Sequence, residues 1–193
     1  VAEVRLDTRE PVEGAATLRL GDTLELHGTV VSGGVHAGAA YARLVGGNGR
    51  LAAELPSRYY RDVPARIPIS DALTEAGEAL ASSSDATVLE AWLPLWARAA
   101  SRASDAIAHI IEAAGGGAWR VLPDGSVWVG QDTWPSAPRF DFVEIEEFPA
   151  ERRVEIATEE PKLLPGMTFL NRRVSHVRHV LTPQATRTHV WFV

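Results

Sequence analysis

Carboxylates, imidazoles and indoles are the side chains whose spacing in this sequence suits chemistry. Glu144, Glu146 and Glu147 crowd the stretch "EIEEF". Glu144 and Glu146 fall on one face of a strand, and paired carboxylates act as acid and base in glycoside hydrolysis. Arg152 and Arg153 follow on the next expected strand, which favours cross-strand charge pairing instead. His176 and His179 stand three apart in "SHVRH" and would share a metal on a helix. The surrounding "RRVSHVRHVL" reads as a strand, where that spacing sends them to opposite faces. His189, on the following strand, adds one more imidazole, but a metal site needs three or four convergent ligands. No Gly-x-Ser-x-Gly elbow accompanies the serines and histidines. "GGNGR" and "GGG" lack the Lys-Ser/Thr of a phosphate-binding loop. The expectation is therefore no catalytic residue, no metal, no cofactor and no enzymatic activity.

The remaining group is aromatic. "WRVLPDGSVWVG", residues 119–130, reads as two strands joined by a tight turn. Leu122-Pro123-Asp124-Gly125-Ser126 fits a type I turn with Pro second and Gly at the left-handed bulge position. Pairing then sets Val121 opposite Val127 and Trp119 opposite Val129 on an apolar face. Arg120 faces Trp128 on the other side, where the cation can stack on the indole. Arg120 and Trp128, with Trp134, form the candidate surface for a ligand or partner. The plainer expectation for the hairpin is a piece of core with one covered edge.

The elements around these residues fall into three zones. Residues 1–55 alternate polar and apolar in "TLRL" and "TLELHGTVV", split by the turn signal Gly21-Asp22. Asn48-Gly49 predicts a hairpin from "AAYARLV" back through "LAAEL". Residues 56–115 change to a helical pattern. Ser70 is placed as an N-cap for "ISDALTEAGEAL", with Ile69, Ala72, Leu73, Ala76 and Leu80 on one face. A longer helix is expected from Pro94, carrying Trp96, Ala103, Ile107, Ile110 and Ile111, until "GGG" stops it. Residues 116–193 return to strands in "FDFVEIEEF", "RRVEIAT", "MTFLNRRVSHVRHVL" and "TRTHVWFV", with "LLPGM" and "LTPQA" as turns. The fold class that follows is α+β: an antiparallel β-barrel or sandwich body formed by 1–55 and 116–193, one split barrel, with 56–115 as a helical insertion.

Composition narrows the function. The chain has 193 residues and a formal net charge of -6, so it lacks the broad basic surface that holds nucleic acid. The same sign disfavours anionic membranes, and no apolar run nears the ~20 residues of a membrane span. Cysteine is absent, which excludes disulfides and thiolate chemistry. Val1 in place of Met reads as a processed chain or part of a longer one.

Four segments in order carry a resemblance: "GRLAAELPSRYYRDVPARIPISDALTEAGEAL", "LPLWARAASRASDAIAHII", "WRVLPDGSVWVG" and "LLPGMTFLNRRVSHVRHVL" with "TRTHVWF". Across roughly residues 38–193 the chain resembles baseplate-hub proteins of contractile phage tails and related injection machines. That resemblance implies a tail-tube-like β-barrel, a structural role between tail tube and central spike, and a virion-tail location after synthesis in the bacterial cytoplasm. It implies tube and spike proteins as partners and a homo-oligomer, a trimer, in the assembled tail. Hubs of this kind commonly carry two related barrels, whereas this chain has strands for one, or one and part of another. The alternative is a carbohydrate-binding module using exposed aromatics such as Trp128, Trp134, Tyr59 and Tyr60. Trp191, Phe192 and Val193, at the end of the last strand, are expected to be buried or to continue into further chain.

Overall fold

A computed structural model describes residues 1–20, 24–158, 163–182 and 186–193. The expected Gly21-Asp22 turn and residues 183–185 of the "LTPQA" turn lie outside them. By contact the chain divides into two compact units, Val1–Leu18 with Glu25–Gln131, and Arg19–Leu24 with Asp132–Val193. The division falls after Gln131, so the helices share a unit with the opening strands. The sequence reading instead joins 1–55 to 116–193 and sets 56–115 apart.

β1 (Ala2–Leu6), β2 (Gly14–Leu20), β3 (Leu24–His36) and β4 (Ala39–Gly46), in the first unit but for Arg19, Leu20 and Leu24, form a sheet in the order β1-β4-β3-β2. β3 and β4 are antiparallel and join through Ala37 and Gly38, both at positive φ. The hairpin expected at Asn48-Gly49 does not form. Gly47 and Gly49 take positive φ, whereas a type I′ turn would need it at Asn48 as well. The supposed return strand goes elsewhere. Leu51 and Ala53 give their carbonyls to the N–H groups of Ser104 and Ala103.

The chain continues through β5 (Glu54–Leu55), β6 (Arg58–Pro64), α1 (Arg66–Ala76), α2 (Ala86–Leu89), β7 (Trp92–Arg98), β8 (Ser101–Arg102) and α3 (Ala103–Ala113). Two expectations are corrected here. α1 starts at Arg66, with Pro68 in the first turn, where a missing N–H costs nothing. Ser70 therefore lies inside the helix and caps nothing, and Gly77 in the left-handed region ends it. The long helix from Pro94 is half strand. Trp92–Arg98 pairs antiparallel with β6, Tyr60 opposite Trp96, and helix begins only at Ala103. Trp92, Leu93, Leu95 and Trp96 suit a strand as well as a helix, and the waiting β6 edge decides it. Both helices bury one face together: Ile69, Ala72 and Leu73 of α1, with Ile107, Ile110 and Ile111 of α3.

Against this core lies the hairpin β9 (Ala118–Val121) and β10 (Val127–Gly130). Its register is the expected one: Val121 opposite Val127, Arg120 opposite Trp128, Trp119 opposite Val129. The far edge of β10 is covered, since Ala79 accepts from Val127 N–H and Asp85 donates to the Val129 carbonyl.

The second unit holds β11 (Val143–Phe148), a 3-10 turn at Pro149–Glu151, β12 (Arg153–Ala157), β13 (Thr168–Phe169), β14 (Arg172–Leu181) and β15 (Thr186–Phe192). They form an antiparallel sheet in the order β11-β12-β15-β14-β13. One face packs Val154, Ile156, Phe169, Val174, Val190 and Phe192 into a second core. β15 is thus a central strand rather than an edge. Phe192 is buried, Trp191 half-buried and Val193 exposed. Leu170 and Asn171, both at positive φ, turn β13 into β14 inside what reads as one strand. The fold is α+β, and the described residues are mostly antiparallel strand with three α-helices.

Candidate functional site

Arg120 and Trp128 meet because the turn fixes their register. Leu122 donates to the Ser126 carbonyl and Gly125 to the Leu122 carbonyl. The Asp124 carboxylate accepts from both the Ser126 hydroxyl and the Ser126 N–H, which hold its pKa below the ordinary value. The turn is tied to β3 as well, by the His27 N–H to the Pro123 carbonyl.

On the strands the Arg120 guanidinium lies 4.2 Å from the centre of the Trp128 ring. Trp128 is only 9% exposed, and its indole N–H donates to the Ser83 carbonyl at 3.1 Å. One ring face is covered by the cation and the polar edge is satisfied, so the indole works chiefly as packing. Trp134, the third candidate, belongs to the second unit. It is half-buried, its indole N–H has no hydrogen-bond partner among the described residues, and Arg173 lies 5.4 Å from its ring.

Beside the hairpin is a shallow cleft of about 460 Å³. Ile111, Glu112, Gly117 and Trp119 are among its walls. Among the described residues Glu112 is the one ionisable side chain lining it.

A charged cluster that sequence reading missed joins α1 to the β6–β7 ribbon. Glu75 accepts from Arg98 at 2.5 Å and from Arg58 at 2.6 Å, and Arg58 also reaches Asp71 at 3.1 Å. Burial pulls the Glu75 pKa up, but the two guanidinium hydrogen bonds outweigh it and hold the carboxyl below its usual range. Tyr60 is buried here against Trp96, ring centres 5.7 Å apart. Burial first, then the Asp71 charge, raises its hydroxyl pKa. Two arginines against two carboxylates leave the cluster formally neutral, which suits fastening more than ligand capture. The two-residue spacing of Trp96 and Arg98, which puts both on one strand face, is the signal that finds it, and the helical reading hid that face.

The carboxylates and histidines are dispersed by the second sheet. A β-bulge between Glu144 and Glu146 sets Glu144 opposite Ile156 and Glu146 opposite Glu155. The two carboxylates therefore leave the strand on different faces, and the expected shared face is lost. Among the described residues neither Arg152 nor Arg153 pairs with Glu144, Glu146 or Glu147. Arg152 sits in a left-handed turn, while Arg153 bonds Glu151 at 2.8 Å and stacks on Phe148 at 3.8 Å. His176 pairs with Trp191 and His179 with Thr188, on opposite faces as their spacing requires. His179 is bound by the Thr188 hydroxyl and the Leu163 carbonyl. His189 lies on the His176 side of the sheet, its Nδ1 2.9 Å from Arg153. Among the described residues no three His, Asp or Glu converge as a metal set.

Each unit also exposes large apolar side chains. Tyr59 is 62% exposed and Trp92 60%, both on the β6–β7 ribbon, with Leu95 similarly open. Phe142, Val143 and Ile145 are open at β11. No family model matches the chain, and no curated protein matches it.

Proposed function

We propose that the protein is a structural subunit of a phage tail baseplate or phage-like injection apparatus, part of the hub between tail tube and central spike. The observation that carries the reading is the placement of its exposed apolar side chains. Tyr59, Trp92 and Leu95 lie on one two-stranded ribbon, and Val143 and Ile145 on a strand at the end of a sheet. Open sheet edges bearing apolar side chains are surfaces that other chains cover. The ordered segments of residues 38–193 that resemble hub proteins supply the particular assembly. In that assembly the strands of each unit contribute to a tail-tube-like barrel completed by neighbours, a trimer of hubs meeting the tube. No described helix is long and apolar enough to cross a membrane.

Co-expression with tail-tube and spike proteins from one phage-like cluster tests the reading. A stable complex with either protein in gel filtration is expected. Elution of the chain apart from both sinks it. Carbohydrate binding is the alternative, using the open rings of Tyr59 and Trp92, and a glycan array without hits removes it.

A further inference from the structure

The two sides of the second sheet differ in charge. β11, at one end, reads "VEIEEF" and carries three glutamates and no cation, although Glu147 is already paired with Arg172 of β14 in the same chain at 2.7 Å. β14 reads "RRVSHVRHVL", with three arginines, two histidines and no acid. β13 covers only the start of β14, at Arg172 and Arg173. Along Ser175–Val180 no described strand lies on the side of β14 away from β15. Both β11 and this part of β14 therefore present unpaired backbone among the described residues.

From this we infer that the partner of the β11 edge is the β14 edge of a second copy of this chain, joined head to tail. Strand direction allows it. β11, β12, β15 and β14 alternate in direction, so the sheet of the next copy, placed in line, meets β11 with an antiparallel β14. Side-chain faces agree as well. Glu146 pairs with Glu155, Glu155 with His189, and His189 with Arg178, so Glu146 and Arg178 leave the sheet on one face. A register that sets Glu146 opposite Arg178 also sets Phe148 opposite His176. Neither Glu146 nor Arg178 has an ion-pair partner among the described residues. Pairing two β11 edges about a twofold axis would oppose glutamate to glutamate, and two β14 edges would oppose cation to cation. Charge thus selects the heterologous join, which propagates into a ring if its rotation closes and into an open filament if it does not.

The inference deepens the assembly role, and its test is separate from binding to tube or spike. Sedimentation of the full chain should show oligomers beyond a dimer. Glu146→Arg and Arg178→Glu should each weaken self-association about tenfold. The double charge swap should restore it. A chain monomeric at every concentration, or an oligomer indifferent to both reversals, overturns the pairing. A monomer that still binds tube or spike protein leaves the assembly role standing. The absence of cysteine gives a second readout. A mixture of Glu146→Cys and Arg178→Cys chains should cross-link on oxidation, about tenfold faster than either variant alone. Faster cross-linking of Glu146→Cys with itself refutes the head-to-tail join.

Discussion

Arg98, 2% exposed, is held by Glu75 at 2.5 Å, and that contact locks a strand to a helix. The guanidinium also donates through Nε to the Pro56 carbonyl, while its Nη1 is buried with no partner among the described residues. A buried cation with one spare donor depends heavily on its carboxylate. Glu75→Ala should cost about 3–5 kcal/mol, because it strands the charge. Arg58→Ala should cost less than about 1 kcal/mol, since Arg58 is half in water. Urea unfolding of both variants checks this. Equal small losses would show that Arg98 does not rely on the pair.

The same carboxylate gives the first unit an acid limit. The folded pKa of Glu75 is lowered, so its contribution is present above the unfolded value and disappears as pH falls through the folded one. Asp85, held by the Thr87 N–H and hydroxyl and the Gln131 N–H, acts in the same direction. Asp124 at the hairpin turn does so too. Stability should hold near neutrality and decline on the acid side of the carboxylate range. Glu75→Gln should flatten part of that decline, read as urea midpoints across acid pH.

The second unit should respond earlier in acid. Burial lowers the pKa of His179, and the Leu163 carbonyl only partly opposes it. Burial lowers His189 as well, with Glu155 opposing and Arg153 and Arg178 reinforcing. The unfolded chain, with histidine near 6.5, takes up these protons first. Stability is therefore full above about pH 6.5 and falls as pH drops towards the folded values. His179→Gln keeps a polar group near Thr188 and Leu163 but removes the titration. Its unfolding midpoint should change less between neutral and mildly acid pH than that of the parent chain. An unchanged pH dependence would exclude His179 as a contributor.

Legibility in the sequence tracked how local the cause was. The 119–130 hairpin was readable down to its register, because Pro123, Asp124 and Gly125 specify the turn without outside help. The apolar stripe of α1 was readable for the same reason, from Ile69 to Ala76. Trp92–Arg98 was not, since only pairing with Arg58–Pro64 distinguishes it from the helical periodicity that runs on through Ala103 and Ile107. The bulge after Glu144 and the Leu170-Asn171 turn carry no Gly or Pro to announce them. Of the candidate surface, the Arg120–Trp128 contact was legible from alternation. The covering of Trp128 was not, because Ser83 lies 45 residues away.

Trp128 and Gly130 offer the sharpest test of that covering. A Cβ on Gly130 would lie 2.4 Å from Cζ2 of the Trp128 ring and 2.8 Å from the Asp85 Cβ. The ring lies over Gly130 and cannot keep its place if that atom is added. Gly130→Ala alone should therefore destabilise by about 1–3 kcal/mol through overpacking. Trp128→Ala alone should cost about 3–5 kcal/mol, from lost burial and the cavity left behind. Removing the ring also removes most of what a Cβ would strike, so the two losses should not add. The double variant should be less destabilised than their sum by about 1 kcal/mol or more, the coupling expected of residues in contact. Additive losses in urea unfolding would mean that the indole does not rest on Gly130. Arg120→Ala, by contrast, should cost only about 0.5–1 kcal/mol, because it uncovers one ring face and leaves the bond to Ser83 intact.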